Sequence, residues 1–316
     1  MKALTIIAFS EIQSLFREKI IYSIASVFIF MAILSSYITW ATYSTVGTVY
    51  SSSIAFMHQH GIIEIPTNPF HQIPTLATFD NLIVYITLIG TLLAIVVGHR
   101  SMMRERISGI LQLVFSRPIL KRDVLLGKVL GLAIVLLSVV ILTAFVSIVS
   151  LWFLPLQLLT TTDVAHLLFF FSLSFLYMFF FALIGLLLSI ATKSESLALF
   201  IPILIWVGIT FVLPELSTGQ SPTALLNPVT LLQVPPAEGL FQQIQFVVTP
   251  MSLGWHYTTI SGEVLGSSLT ADHSLKQILA DHWVHIITFI SGIVFTVLFS
   301  SKYLEAFNPQ GDVVKE

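Results

Sequence analysis

Cysteine is missing from this chain of 316 residues, and charge is scarce. Without a thiol there is no disulfide framework, no thiolate metal centre and no cysteine nucleophile. Only 9% of the residues are charged, against roughly 25% in soluble domains, while 56% are hydrophobic and the mean hydropathy is +0.94. That composition excludes a water-soluble globular enzyme and marks an integral membrane protein. A net charge of −2, with no basic stripe beyond one loop, argues against a nucleic-acid partner. Nucleotide chemistry is also missing: Gly127-Lys128 lacks the flanking residues of a phosphate loop, because Arg122 and Val129 stand where glycine and Ser/Thr are needed. Neither His-Glu-x-x-His nor Gly-x-Ser-x-Gly occurs, and the apolar runs carry almost no ionisable groups. Intramembrane catalysis and ion-coupled transport both need such groups near the midplane.

What the chain does have is long apolar runs. Ile20–Ala41, Asn81–Gly98, Val129–Leu154, Val164–Thr192, Leu197–Leu213 and His282–Ser301 are each long enough to span a bilayer. The expected fold is therefore an all-α integral membrane domain of six transmembrane helices over residues 1–316. Pro202 falls inside the fifth run, where a neighbouring helix can satisfy the carbonyl it frees. Residues 1–19 place Leu4, Ala8, Ile12 and Leu15 on one helical side and Lys2, Ser10, Gln13 and Arg17 mostly on the other, which suggests an amphipathic helix in the interface. Residues 42–79 and 215–281 read as water-facing outer loops, the second with apolar patches such as Leu240–Val248 that are too short to cross.

Lysine and arginine set the orientation. With both termini inside, 13 of the 14 basic residues are cytoplasmic and only Lys276 is outside. The expected location is a bacterial cytoplasmic (inner) membrane.

The segment 99–128 is the strongly charged one. It holds Arg100, Arg104, Arg106, Arg117, Lys121, Arg122 and Lys128 between the second and third runs. Ile107, Ile110, Leu111 and Val114 recur at helical spacing, opposite Arg104, Ser108 and Gln112, and Pro118 is expected to stop this short helix. A basic, partly apolar cytoplasmic knob of this kind is suited to meet a partner.

The wording of this segment resembles the cytoplasmic loop of type-2 ATP-binding-cassette (ABC) exporter permeases, and within them the NosY-like permeases of nitrous oxide reductase maturation. The family pattern is matched at Glu105, Ser108, Gly109, Leu111, Leu113, Ser116, Pro118, Leu126, Gly127 and Lys128, with Ile110 where threonine is frequent. The resemblance implies a permease subunit that moves a substrate across the membrane while ATP, with Mg, is hydrolysed on a separate cytoplasmic ATPase. It implies two ATPase copies and a second permease copy. Coupling would fall to Arg104, Glu105, Arg106, Ser108, Gly109, Leu111, Leu113, Ser116 and Pro118, with Lys193 and Glu195 on the next inner turn. Glu105 would pair with an arginine of the ATPase or with Arg104 or Arg106. The alternative is a non-transporting scaffold or signalling subunit whose outer loops dock a periplasmic protein.

Two smaller features have competing readings. Gly127 and Gly131 form a small-residue pair that either marks a seam between subunits or reflects the general frequency of glycine in membrane helices. His58, His60 and His71 are candidate copper or zinc ligands, and His282 and His285 lie one helical turn apart. No compact ligand motif accompanies them, so the expectation is no metal on this chain and no cofactor of its own, with membrane lipid as its surroundings.

Overall fold

The computed structural model describes residues 2–61, 75–116, 119–151, 160–213, 246–247, 251–266 and 274–306. Among these the structure is helical, without a strand, and six helices are long and apolar enough to cross a membrane. In chain order the elements are α1 (Lys2–Leu15), α2 (Lys19–Gln59), α3 (Asp80–Tyr85), α4 (Thr91–Ile107), α5 (Ile110–Phe115), α6 (Lys121–Leu151), α7 (Thr161–Ala191), α8 (Glu195–Val207), α9 (Leu253–Val264), α10 (Leu275–Asp281) and α11 (Trp283–Ala306). One wider π turn, Ile86–Gly90, joins α3 to α4 into a single span, and a second, Gly208–Val212, prolongs α8.

The helices run past the apolar windows that announce them. α2 continues through residues 42–59, which the sequence reading assigned to a loop, because no proline interrupts it and its hydroxyls bond back within the helix. Thr42, Thr45 and Thr48 each donate to the carbonyl four residues earlier, so the polar stretch satisfies itself without leaving the helix. Similarly α4 extends beyond Gly98 to Ile107, and α6 begins at Lys121 rather than Val129. Little of 99–128 is therefore loop. Pro118, Arg117 and His71 lie outside the described residues, as does most of Leu240–Val248.

α4 and α7 form the centre of the bundle, while α2, α6, α8 and α11 leave much of one face open to lipid. The α4–α7 crossing is tight because two glycines meet backbone. A Cβ on Gly98 would lie 1.9 Å from the Ala182 carbonyl oxygen, and one on Gly185 would lie 2.6 Å from that of Ile95. Any side chain there would force the helices apart.

The backbone irregularities are satisfied across helices. Thr91 donates to the Ile86 carbonyl and the Trp206 indole donates to the Thr87 carbonyl at 3.1 Å, so the π turn leaves these groups paired. Pro202 stands inside α8 and has no amide to give to the Ala198 carbonyl.

The expectation of an apolar stripe on α1 holds, since Ala8 and Leu15 are buried and Ser10, Gln13 and Arg17 are exposed. The stripe packs on α6 of the same chain. A Cβ on Gly127 would lie 2.7 Å from Ile7 Cγ2, and one on Gly131 would lie 2.8 Å from Glu11 Cβ. The small-residue pair thus seats α1 within the subunit, which corrects both sequence readings of it.

α9 is a short helix inside the 215–281 segment. It packs against α7, where the buried Tyr257 stacks on Tyr177 at 4.6 Å and meets Ser174 at 2.9 Å; Leu253, His256, Ile260 and Val264 are buried as well. A water-facing loop would not bury these groups.

Candidate coupling site

The knob starts where α4 stops. Ser108 caps α4, and Gly109 has φ +72°, a left-handed conformation that only glycine takes without strain. Nothing would obstruct a Cβ at Gly109, so its requirement is conformational. This reversal separates Ile107 from Ile110, Leu111 and Val114, so the expected single helical face is split between the end of α4 and α5. Ser116 closes α5 by donating to the Leu113 carbonyl at 2.8 Å.

Lys128, Glu105, Arg104 and Arg106 turn toward the bundle. Lys128, fully buried, holds Glu11 at 2.9 Å and Glu105 at 2.8 Å and donates to the Ser101 carbonyl at 2.7 Å. Arg104 lies 3.8 Å from Glu11 and 3.6 Å from Glu18. Three carboxylates from α1, α4 and the α1–α2 turn thus surround two cations, which compensates the cost of removing them from water. Arg106 is buried as well and donates to the carbonyls of Ser189, at 3.0 Å, and Thr192. It thereby ties the end of α4 to the end of α7.

The second inner turn lies beside the first. Thr192 is followed by the exposed Lys193, then by Ser194, which caps α8. Glu195 reaches Arg100 at 3.8 Å, and a cavity of about 210 Å³ opens there between His99, Arg100, Glu195, Leu199 and Phe200.

Apolar side chains point out. Ile107, Ile110, Leu113 and Leu120 are 51%, 48%, 69% and 72% exposed, whereas Leu111 is buried and anchors α5 to the bundle. The knob thus presents apolar side chains beside a cluster of buried charge.

Of the residues expected to couple, Arg104, Glu105 and Arg106 build the base of the knob, Ser108 and Gly109 its turn, and Leu113 its tip. Lys193 and Glu195 sit on the adjacent turn, and Pro118 is outside the described residues. The pairing expected for Glu105, with an ATPase arginine or with Arg104 or Arg106, gives way to Lys128. Sequence reasoning missed Glu11 as a partner. The signal was present, because Glu11 falls on the same side of α1 as Ala8 and Leu15 and a carboxylate on an apolar face needs a cation.

A family model described as ABC-2 family transporter protein matches residues 5–306. The chain belongs to this family. No curated protein matches it. As an ABC-2 family member it is a multi-pass membrane permease of an ABC transporter, and the family implies partnership with an ABC ATPase.

Of the histidines named as candidate metal ligands, His71 lies outside the described residues. His58, in the last turn of α2, and His60, its C-cap, sit two residues apart, a spacing that points side chains in different directions, and His60 bonds the Phe56 carbonyl at 2.9 Å. Among the described residues no group of three or more His, Asp or Glu is placed to hold a metal ion.

Proposed function

We propose that this chain moves a substrate across the cytoplasmic membrane with both termini on the cytoplasmic side, driven by ATP and Mg bound to a separate ATPase. Two ATPase copies serve a pair of permease chains. The observation that carries this reading is the exposed apolar tip Ile107, Ile110 and Leu113, set on a base of buried ion pairs. A tip that fits a groove on the ATPase needs a rigid base to pass on a displacement. Lys128 and Arg106 supply it, linking the knob to α1, α6 and α7. A shift of the tip on ATP binding would then move whole helices as rigid bodies. The likeness of the loop to NosY-like permeases supports the reading and leaves the substrate open.

The test is co-expression of the chain with an ABC ATPase and reconstitution in vesicles. ATP-driven movement of a solute supports the reading. A complex that hydrolyses ATP and moves nothing would support the scaffold role instead.

A further inference from the structure

A cluster of imidazoles lies at the end of the bundle away from the knob. The far end of α11 is at the knob, where Lys121 donates to the Glu305 carbonyl, so the first turn of α11 is at the opposite end. There His285 Nδ1 lies 2.7 Å from His256 Nδ1 of α9, with the rings edge to face at 4.5 Å. Trp255 lies 5.2 Å from both rings. Just before α11, His282 Nε2 lies 2.7 Å from Glu263 Oε2, at the last turn of α9. His256 and Glu263 are two turns apart on α9, so one face of this short helix meets α11 at both of its ends.

The two contacts respond to protons in opposite ways. A bond between two Nδ1 atoms needs one N–H and one lone pair, so it holds when the pair carries one shared proton at that position. Once both imidazoles are charged, each Nδ1 carries hydrogen, no acceptor is left, and two cations face each other at 2.7 Å. The His282–Glu263 contact is strengthened by the same protonation, because an imidazolium then donates to a carboxylate. His282 is also 4.9 Å from His285, which adds repulsion when both are charged. Other titratable groups on elements packed here are Asp80 on α3, Lys276 and Asp281 on α10, and Asp163 and His166 on α7. Of these, Asp163 serves the cap at Thr160 and His166 bonds the Thr162 carbonyl. The charges at the start of α6 lie at the knob end.

We propose that the His256–His285 contact is a proton-released latch between α9 and α11. In acid the first turn of α9 swings from α11 while Glu263 and His282 keep its last turn pinned. With the termini cytoplasmic, the latch faces the outer compartment. It needs neither nucleotide nor partner, so its test stands apart from the permease reading.

The absence of cysteine allows spin labels at Thr258→Cys and Val284→Cys, both exposed positions on the two helices. The distance between them is read by pulsed electron resonance on the purified full chain in phospholipid nanodiscs. Burial and the neighbouring imidazoles keep the second proton off until strongly acid solution, so a longer distance should appear as the pH falls from about 7 to about 3.5, its ratio to the short one rising up to about tenfold per pH unit. His285→Phe should keep the fold and lose the pH response, and His282→Gln, which retains a donor to Glu263, should keep the response. If His285→Phe does not fold, His256→Phe takes its place. A distance unchanged with pH in the parent overturns the latch, as does a response that survives both phenylalanine variants. One equivalent of transition metal held through chelation and lost in His285→Phe would also overturn it, making the pair ligands.

Discussion

The ammonium of the buried Lys128 lies 2.8 Å from the carboxylate of the half-buried Glu105. Glu105 is thus part of the base on which the knob stands. A probe such as Glu105→Lys would place a second cation against Lys128 and disturb the fold, so a loss of ATPase binding in that variant would not report on docking.

Lys128→Met leaves Glu11 and Glu105 facing each other without their shared cation. The expected cost is about 3–5 kcal/mol, read as a lower unfolding temperature in nanodiscs. Glu105→Gln keeps a hydrogen-bond acceptor and should cost less, about 1–3 kcal/mol. Equal stability of Lys128→Met and the parent would mean that the cluster is solvated.

Gly98→Ala drives a methyl group into the Ala182 carbonyl and should destabilise by at least about 1–3 kcal/mol. Gly47→Ala, on a stretch of α2 with nothing within 4 Å, should be neutral or slightly stabilising. Thermal unfolding of the two variants side by side checks the α4–α7 seam.

Much of the fold was legible because it rests on apolar length: six runs gave six spans, and their composition alone demanded a membrane. Helix ends were less legible. Ser and Thr at residues 42–53 look like loop, yet their hydroxyls satisfy themselves within α2. The seams were least legible, since Gly98 and Gly185 matter through a crossing that no local pattern reveals. In the coupling segment the motif falls on the turn between α4 and α5, but periodicity could not tell that Gly109 would reverse the chain, nor that Glu105 and Arg106 would turn inward while Ile110 and Leu113 turn outward.

Topology is open to direct labelling. Single cysteines at Ser52 and Ser108 are both on exposed positions. An impermeant maleimide should label Ser52→Cys in intact cells and Ser108→Cys only after lysis. The reverse pattern would invert the orientation.

The central claim is that the apolar tip of the knob docks the ATPase, and Leu113→Asp tests it most directly. Leu113 is 69% exposed, so the change should alter stability by no more than about 0.5 kcal/mol. Leu111→Asp, at a buried position, should instead prevent folding. The measurement is the amount of ABC ATPase that co-purifies with each folded permease from co-expressing cells. The account predicts that Leu113→Asp yields a monodisperse, fully inserted permease with at least about tenfold less ATPase than the parent, a loss of about 1.4 kcal/mol or more. Parent-like recovery of ATPase by folded Leu113→Asp would contradict it.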